Sequence, residues 1–154
     1  KIRTSLALND AVINQGVKAR LIKLRVEMHQ RKVSSFEADG LIISTPTGST
    51  GHSLSAGGPI VHPKIDGYLM TPICPVSLAN RPILLPNNRQ LNITVETERD
   101  MHEKIALTID GQQTFGLEYG DEVKVRKSRR HLYLVRMTGE NYYRALRAKL
   151  GWGE

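Results

Sequence analysis

Six hydroxyl side chains and four glycines crowd into the fourteen residues from Thr45 to Gly58: Thr45, Thr47, Ser49, Thr50, Ser53 and Ser55, with Gly48, Gly51, Gly57 and Gly58. An apolar run, Leu41-Ile42-Ile43, leads into this stretch, and Pro46 stops it while removing a backbone donor. Glycine lets a backbone approach a ligand closely and turn its N–H groups toward an anion. If Ser49 or Thr50 opens a short helix, the unpaired N–H groups at its start form a phosphate seat. The chemistry implied is the cradling of a phosphorylated ligand. Two known cradles are excluded, because the stretch has neither the lysine of a P-loop nor a GxGxxG spacing.

Other residues that could take part are scattered. Asn9-Asp10 joins a donor–acceptor amide to a carboxylate, Asp39-Gly40 precedes the apolar run, and Asp110-Gly111-Gln112 reads as a hairpin turn. His29, His102 and His131 show no metal-ligand spacing with one another or with Cys74, so no structural metal site is expected. His62, before Pro63, is assigned no role. A single cysteine cannot form an internal disulfide, which fits a cytoplasmic protein.

The elements that must position these residues are mostly strands. Ile22, Leu24, Val26 and Met28 alternate with polar residues, as do Leu91, Ile93 and Val95, and Ile105, Leu107 and Ile109. Val123 and Val125, then Leu132 and Leu134, continue the series, which makes Arg126 to Arg130 a basic hairpin loop. Leu41 to Ile43 reads as a strand covered on both faces. Lys1 to Ser5 lead into a further strand-like run without a signal-peptide core. Asn141 to Leu150 has helical spacing, with basic residues near its end and Gly151 as a C-terminal cap. The fold expected is mainly β: one sandwich-like antiparallel domain over residues 1–154, with a short helix after the Gly/Ser/Thr turn and a C-terminal helix.

Composition narrows the partners. No apolar run is long enough to cross a bilayer as a helix. Twenty-two Lys and Arg against fifteen Asp and Glu leave a net charge of +7, a field that draws in anions. RNA is one such partner, but aromatics are only 5 % of the residues, thin for a surface that stacks bases.

The run Asp39-Gly40-Leu41-Ile42-Ile43-Ser44-Thr45-Pro46-Thr47-Gly48-Ser49-Thr50, continued by Ser53-Leu54-Ser55-Ala56-Gly57-Gly58-Pro59, closely resembles the long signature of NAD kinases. Asn9-Asp10 resembles the family's Asn-Glu pair, Asp110-Gly111-Gln112 its Asp-Gly-Gln turn, and Leu150-Gly151-Trp152 its closing Leu-Gly-Trp. Thr71-Pro72-Ile73-Cys74-Pro75 and Asn80-Arg81-Pro82 are also similar, in order along the chain. The resemblance implies transfer of the ATP γ-phosphate to the adenosine ribose 2′-hydroxyl of NAD, with Mg2+ present. It places Asn9 at the adenine region with Asp10 beside it, and gives Asp39 hydrogen bonds from the nicotinamide end. The turn would wrap the dinucleotide through Thr47, Gly48, Ser49, Thr50, Gly51, His52 and Ser55, and Asp110 and Gln112 would approach from their hairpin. The family commonly forms homodimers or homotetramers, so Asp110 could belong to a neighbour's site.

Three features depart from the family. Gly51-His52 stands where most members have Ala-Tyr, and Asp10 is one methylene shorter than Glu. No Gly-Gly-Asp occurs, so the N-terminal domain carrying the family's Gly-Gly-Asp-Gly motif and its expected base is expected to be absent. The chain would then supply most of the NAD wall with no catalytic residue of its own. Alternatives are a non-catalytic NAD(P)-binding module, a basic RNA-binding β-domain, and a lipid kinase of the diacylglycerol or sphingosine type.

Overall fold

The computed structural model describes residues 2–16, 21–97, 105–133, 135 and 141–153. The period-two stretches form strands as expected: β2 (Ile22–Met28), β7 (Leu91–Val95), β8 (Ile105–Ile109) and β10 (Glu122–Val125). The other strands are β1 (Asp10–Gln15), β3 (Arg31–Ala38), β4 (Gly40–Ser44), β5 (Tyr68–Ile73), β6 (Ile83–Leu85) and β9 (Gln113–Leu117). They make two antiparallel sheets, one ordered β6-β5-β4-β1-β8-β9 and the other β10-β7-β2-β3. Ile13, Leu41, Ile43 and Met70 of the first sheet pack with Leu24, Val26, Phe36, Ile93 and Val95 of the second. The sandwich expected from the alternation is therefore the fold.

Two positions explain how the chain passes from sheet to sheet. β3 ends at Ala38 and β4 begins at Gly40, so Asp39 is the corner between the sheets. Its N–H donates to the Ile73 carbonyl (3.0 Å) and its carbonyl accepts from Gln15 N–H (3.2 Å). Gly40 must be glycine for space, since a Cβ there would stand 2.6 Å from the Ile13 carbonyl oxygen. Every residue of β4 is buried, as its unbroken apolar run implied.

The Gly/Ser/Thr stretch folds as a 3-10 turn, Thr47–Thr50, followed by a single helical turn, α1 (His52–Ser55). The C-terminal helix α2 (Tyr142–Leu150) has Asn141 as its N-cap, accepting from Arg144 N–H at 2.8 Å, and left-handed Gly151 as its C-cap. Leu146 is its buried residue, whereas Leu150 and Trp152 remain exposed. Tyr142 seats the helix by an edge-on contact with His62, ring centroids 4.8 Å apart, which gives that histidine a packing role.

The expected strand at Leu132 and Leu134 is not formed at Leu132, which is exposed and irregular; Leu134 lies outside the described residues. Arg126 to Arg130 is consequently an exposed tail beyond β10 rather than a hairpin loop. The first residues, 2–9, also stay outside any ladder until Asp10 opens β1. Among the described residues no helix is long and apolar enough to cross a membrane.

Candidate functional site

β1 sits mid-sheet between β4 and β8, in register with Asp10 opposite Ser44, Val12 opposite Ile42 and Thr108, and Asn14 opposite Gly40 and Ala106. Because side chains alternate, Asp10, Val12 and Asn14 share the face away from Ile13 and the inter-sheet core. Over that face lies an open cavity of about 490 Å³. The turn walls it on one side and the β8–β9 hairpin on the other, through Thr47, Gly48, Thr50, Gly51 and His52 and through Thr108, Asp110 and Gly111.

The segment Leu8 to Asp10 is clamped from both sides. On one side the Asp110 carboxylate accepts three backbone N–H groups, from Asn9 (2.7 Å), Leu8 (2.8 Å) and Asp10 (3.0 Å). Asp110 N–H returns a bond to the Asp10 carbonyl (3.0 Å). Burial would raise the Asp110 pKa, but the N–H groups of Leu8, Asp10 and Asn9 outweigh it and hold the carboxyl below its usual range. Asp110 and Gly111 both take positive φ, 48° and 67°, in a turn closed by Gln112 N–H on the Ile109 carbonyl at 2.9 Å.

On the other side the Gly/Ser/Thr turn grips the same segment. Thr45 N–H donates to the Asn9 carbonyl (2.8 Å), and the Thr45 hydroxyl donates to the Leu8 carbonyl (2.7 Å). Gly48 lies directly on Asn9, where a Cβ would come within 2.2 Å of the Asn9 carbonyl oxygen. The glycine is therefore required by the protein's own packing, ahead of any ligand.

The phosphate seat expected at this turn is largely consumed within it. Gly48 N–H donates to Thr45 Oγ1, Ser49 N–H to the Pro46 carbonyl, and Gly51 N–H to the Gly48 carbonyl. Ser49 is wholly buried and ties the turn to Val61, accepting its N–H at 3.0 Å. Ser53 is buried against Thr71 through a 2.8 Å hydroxyl pair. The hydroxyl-rich composition thus serves the loop's internal bonding as much as its cavity face.

Of the residues singled out from the sequence, Asn9, Asp10, Thr47, Gly48, Thr50, Gly51, His52 and Asp110 converge on the cavity. Ser49, Ser55, Gln112 and Asp39 lie outside its lining. Asp39 is at the opposite end of β4 from the turn, its carboxylate accepting Gln15 Nε2 at 3.2 Å. Val12, Asn14 and Thr108 line the cavity and were not singled out, and Gly111 lines it as part of the Asp110-Gly111-Gln112 turn. The alternation of Asp10, Val12 and Asn14 along a strand could have revealed two of them, had β1 been recognised as one.

Electrostatically the cavity differs from the chain as a whole. Among the described lining residues His52 is the basic one, and it acts on Asp10 across the cavity. Asp10 is buried and its pKa raised: burial pushes it up, His52 pulls it down, and Asp110 pushes it up again. No hydrogen bond to the Asp10 carboxylate is present among the described residues, so it faces the cavity with its acceptors unused. The net positive charge is carried elsewhere. No three His, Cys, Asp or Glu side chains converge as a metal cage among the described residues.

Residues 8–137 match the family model of the ATP-NAD kinase C-terminal domain. The chain is 47 % identical over 147 residues to an NAD kinase of Geotalea daltonii, covering 96 % of this chain and 51 % of that protein. It is 50 % identical over 147 residues to one of Trichlorobacter lovleyi, with the same coverage. The chain thus spans about half the length of the curated relatives it matches. Among solved structures, yeast NADH kinase complexed with NADH superposes with a TM-score of 0.86 at 32 % identity, covering 96 % of this chain and 44 % of that one. An NAD kinase from Archaeoglobus fulgidus in complex with ATP gives 0.69 at 27 % identity, covering 80 % and 46 %.

Proposed function

Because this chain belongs to the NAD kinase family, we propose that it forms the dinucleotide-binding wall of an enzyme that phosphorylates NAD to NADP with ATP. The observation that carries this reading is the clamped Leu8 to Asp10 segment. Asp110 and the Thr45–Gly48 turn fix its backbone, so the Asn9 and Asp10 side chains face the cavity from a rigid support. Phosphoryl transfer depends on such positioning more than on covalent chemistry by the protein.

In the proposed reaction the ribose 2′-oxygen forms a bond to the γ-phosphorus and the bond to the β,γ-bridging oxygen breaks. ADP departs with that electron pair, and the hydroxyl proton passes to a base. This chain binds and orients. Asn9 offers both a donor and an acceptor, Asp10 accepts from hydroxyl or amino groups, and His52 presents a flat ring at the mouth of the turn. The base and the donor's phosphate contacts come from the half of the enzyme represented in its relatives and not in this chain.

Mg2+ does not fit a site of this chain's own. The Asp110 carboxylate is taken by three N–H groups, and Asp10 is the other carboxylate in the cavity lining. The ion would accompany the ATP phosphates, as Mg2+ commonly does. The proposal includes cytoplasmic location and self-association as a dimer or tetramer. The exposed apolar edge strand β6, with Ile83 and Leu84, supports the latter.

The test is calorimetric titration of the chain and of the full-length enzyme with NAD, NADP and a short RNA, alongside ATP-dependent formation of NADP. Dinucleotide binding with RNA silent, and turnover by the full-length enzyme, supports the proposal. Dinucleotide binding without turnover at full length would leave a binding module, and RNA binding alone would overturn the reading.

A further inference from the structure

Residues 2–9 belong to neither sheet, yet they follow a defined course along the β8–β9 hairpin. Arg3 sets its guanidinium over the Phe115 ring, 5.3 Å from the centroid, and the Ser5 hydroxyl donates to Gln113 Oε1 at 3.1 Å. Leu8 N–H then donates to the Asp110 carboxylate at 2.8 Å. Each step forward along the segment is matched by an equal step back along the hairpin, so the segment lies antiparallel to β9 as a strap. Burial does not set this course, because Ile2, Leu6 and Leu8 are all exposed. Among the described residues Arg3 has no ion pair, and the ring is what holds it.

The two ends of the strap have different neighbours. Asn9 and Asp10 line the cavity, and Asp110 fixes their backbone. Arg3 and Ser5 meet the reverse of the same wall. In the β8–β9 ladder Phe115 stands opposite Leu107 and Gln113 opposite Ile109, on the face away from Thr108, which lines the cavity. None of Arg3, Ser5, Gln113 and Phe115 lines the cavity itself. The matching family model is of a C-terminal domain, and the chain spans about half the length of its relatives, so in them the other half leads into this strap. A cation seated on an aromatic face gives the strap a fixed direction there. Resting on the reading above, we propose that Arg3 is a positioning residue for phosphoryl transfer. Latched on Phe115, it sets the angle at which the strap leaves the NAD wall, and so aligns the half of the enzyme that brings ATP and the base.

The test compares the full-length native enzyme with Arg3→Ala, Phe115→Leu, the double variant, Phe115→Tyr and Asn9→Ala. Two quantities are read: the single-turnover rate of NADP formation at saturating ATP, and NAD affinity by calorimetric titration. Loss of an exposed cation–π contact should slow transfer roughly two- to five-fold in Arg3→Ala, with NAD affinity native. Phe115→Leu should lose as much, and the double variant no more than either alone. Phe115→Tyr keeps the ring face and should transfer at the native rate. Arg3 is exposed, so Arg3→Ala carries the test if Phe115→Leu folds poorly. A native transfer rate in Arg3→Ala, or a loss of NAD affinity equal to the loss of rate, would overturn the proposal. Losses that simply add in the double variant would do the same. If Asn9→Ala weakens NAD binding in that event, the dinucleotide reading survives without the latch. A native enzyme that neither binds NAD nor forms NADP would remove both together.

Discussion

Asp110→Asn is the sharpest test of the clamp. Asparagine tolerates the left-handed backbone at this position, where φ is 48°, so the exchange leaves the turn unstrained. One oxygen can still accept from Asn9 and Asp10 N–H, now as a neutral acceptor. The new amide nitrogen meets Leu8 N–H, a donor against a donor, where a 2.8 Å bond stood before. Bonds to a charged acceptor contribute about 1.5–3 kcal/mol each and neutral ones about 1 kcal/mol. Water at this partly exposed hairpin offsets part of the loss, leaving roughly 2 kcal/mol. For a chain of this size that lowers Tm by about 4–8 °C. The Asp110 pKa is depressed in the fold, so its stabilisation is complete above the usual carboxylate range and lost as pH falls through the depressed value. The gap between the native chain and the Asp110→Asn variant, followed by thermal melts, should therefore be full at pH 7 and close in acid. Asp110→Gly keeps the φ and removes all three bonds, so it should fall further. Equal melting of native and Asp110→Asn chains at pH 7, or a gap that does not change with pH, would refute the reasoning.

Asp10→Asn should act in the opposite sense on stability. Its pKa is raised chiefly by burial, so the ionised form is a cost above that raised value, and melting at pH 7 should rise while NAD affinity falls; a lower Tm would mean that the carboxylate is a structural acceptor. Gly48→Ala should cost about 2–4 kcal/mol in chemical denaturation, because the new methyl meets backbone that cannot swing aside; a native midpoint would show that the turn is freely deformable. His52→Tyr should keep or tighten NAD binding, measured by titration, and should let the Asp10 pKa rise further by removing the histidine's pull. An Asp10 carboxyl resonance that titrates identically in both proteins would eliminate that coupling.

Much of the scaffold was legible because half-buried strands must alternate. β7 buries every second residue, as does β2 from Ile22 to Val26, while β8 buries Ile105 and Ile109 with Leu107 half-buried between them, and their sequences state it. β4 and α2 were legible for other reasons, an unbroken apolar run and a capped helical period. β5 contains Pro72 and β9 contains Gly116, residues that argue against strands when read singly. β1 mixes Asp10, Asn14 and Gln15 with apolar residues, since its outer face is a cavity floor rather than open solvent. Leu132 misled in the other direction: alternation continued in the sequence beyond the point where a ladder partner was present. In the site, the convergence of Asn9, Asp10, His52 and the turn could be anticipated from the family pattern. That several of the turn's amides are bonded within it, and that the Asp110 carboxylate holds the Leu8 to Asp10 backbone, depended on tertiary contacts that no local spacing encodes.

The clamp also bears on when the protein becomes able to bind as it is made. Leu8 to Asp10 are held by residues about a hundred positions later in the chain. β1 likewise waits for β8 to complete its second ladder. During synthesis the first strand and the glycine-rich turn leave the ribosome well before the β8–β9 hairpin that secures them. Until that hairpin emerges, Asn9 and Asp10 have only the Thr45–Gly48 half of their clamp and the β4 ladder, and the dinucleotide is a poor template for folding. A ligand present during translation would rescue only chains extended past Asp110, and shorter nascent chains would be indifferent to it.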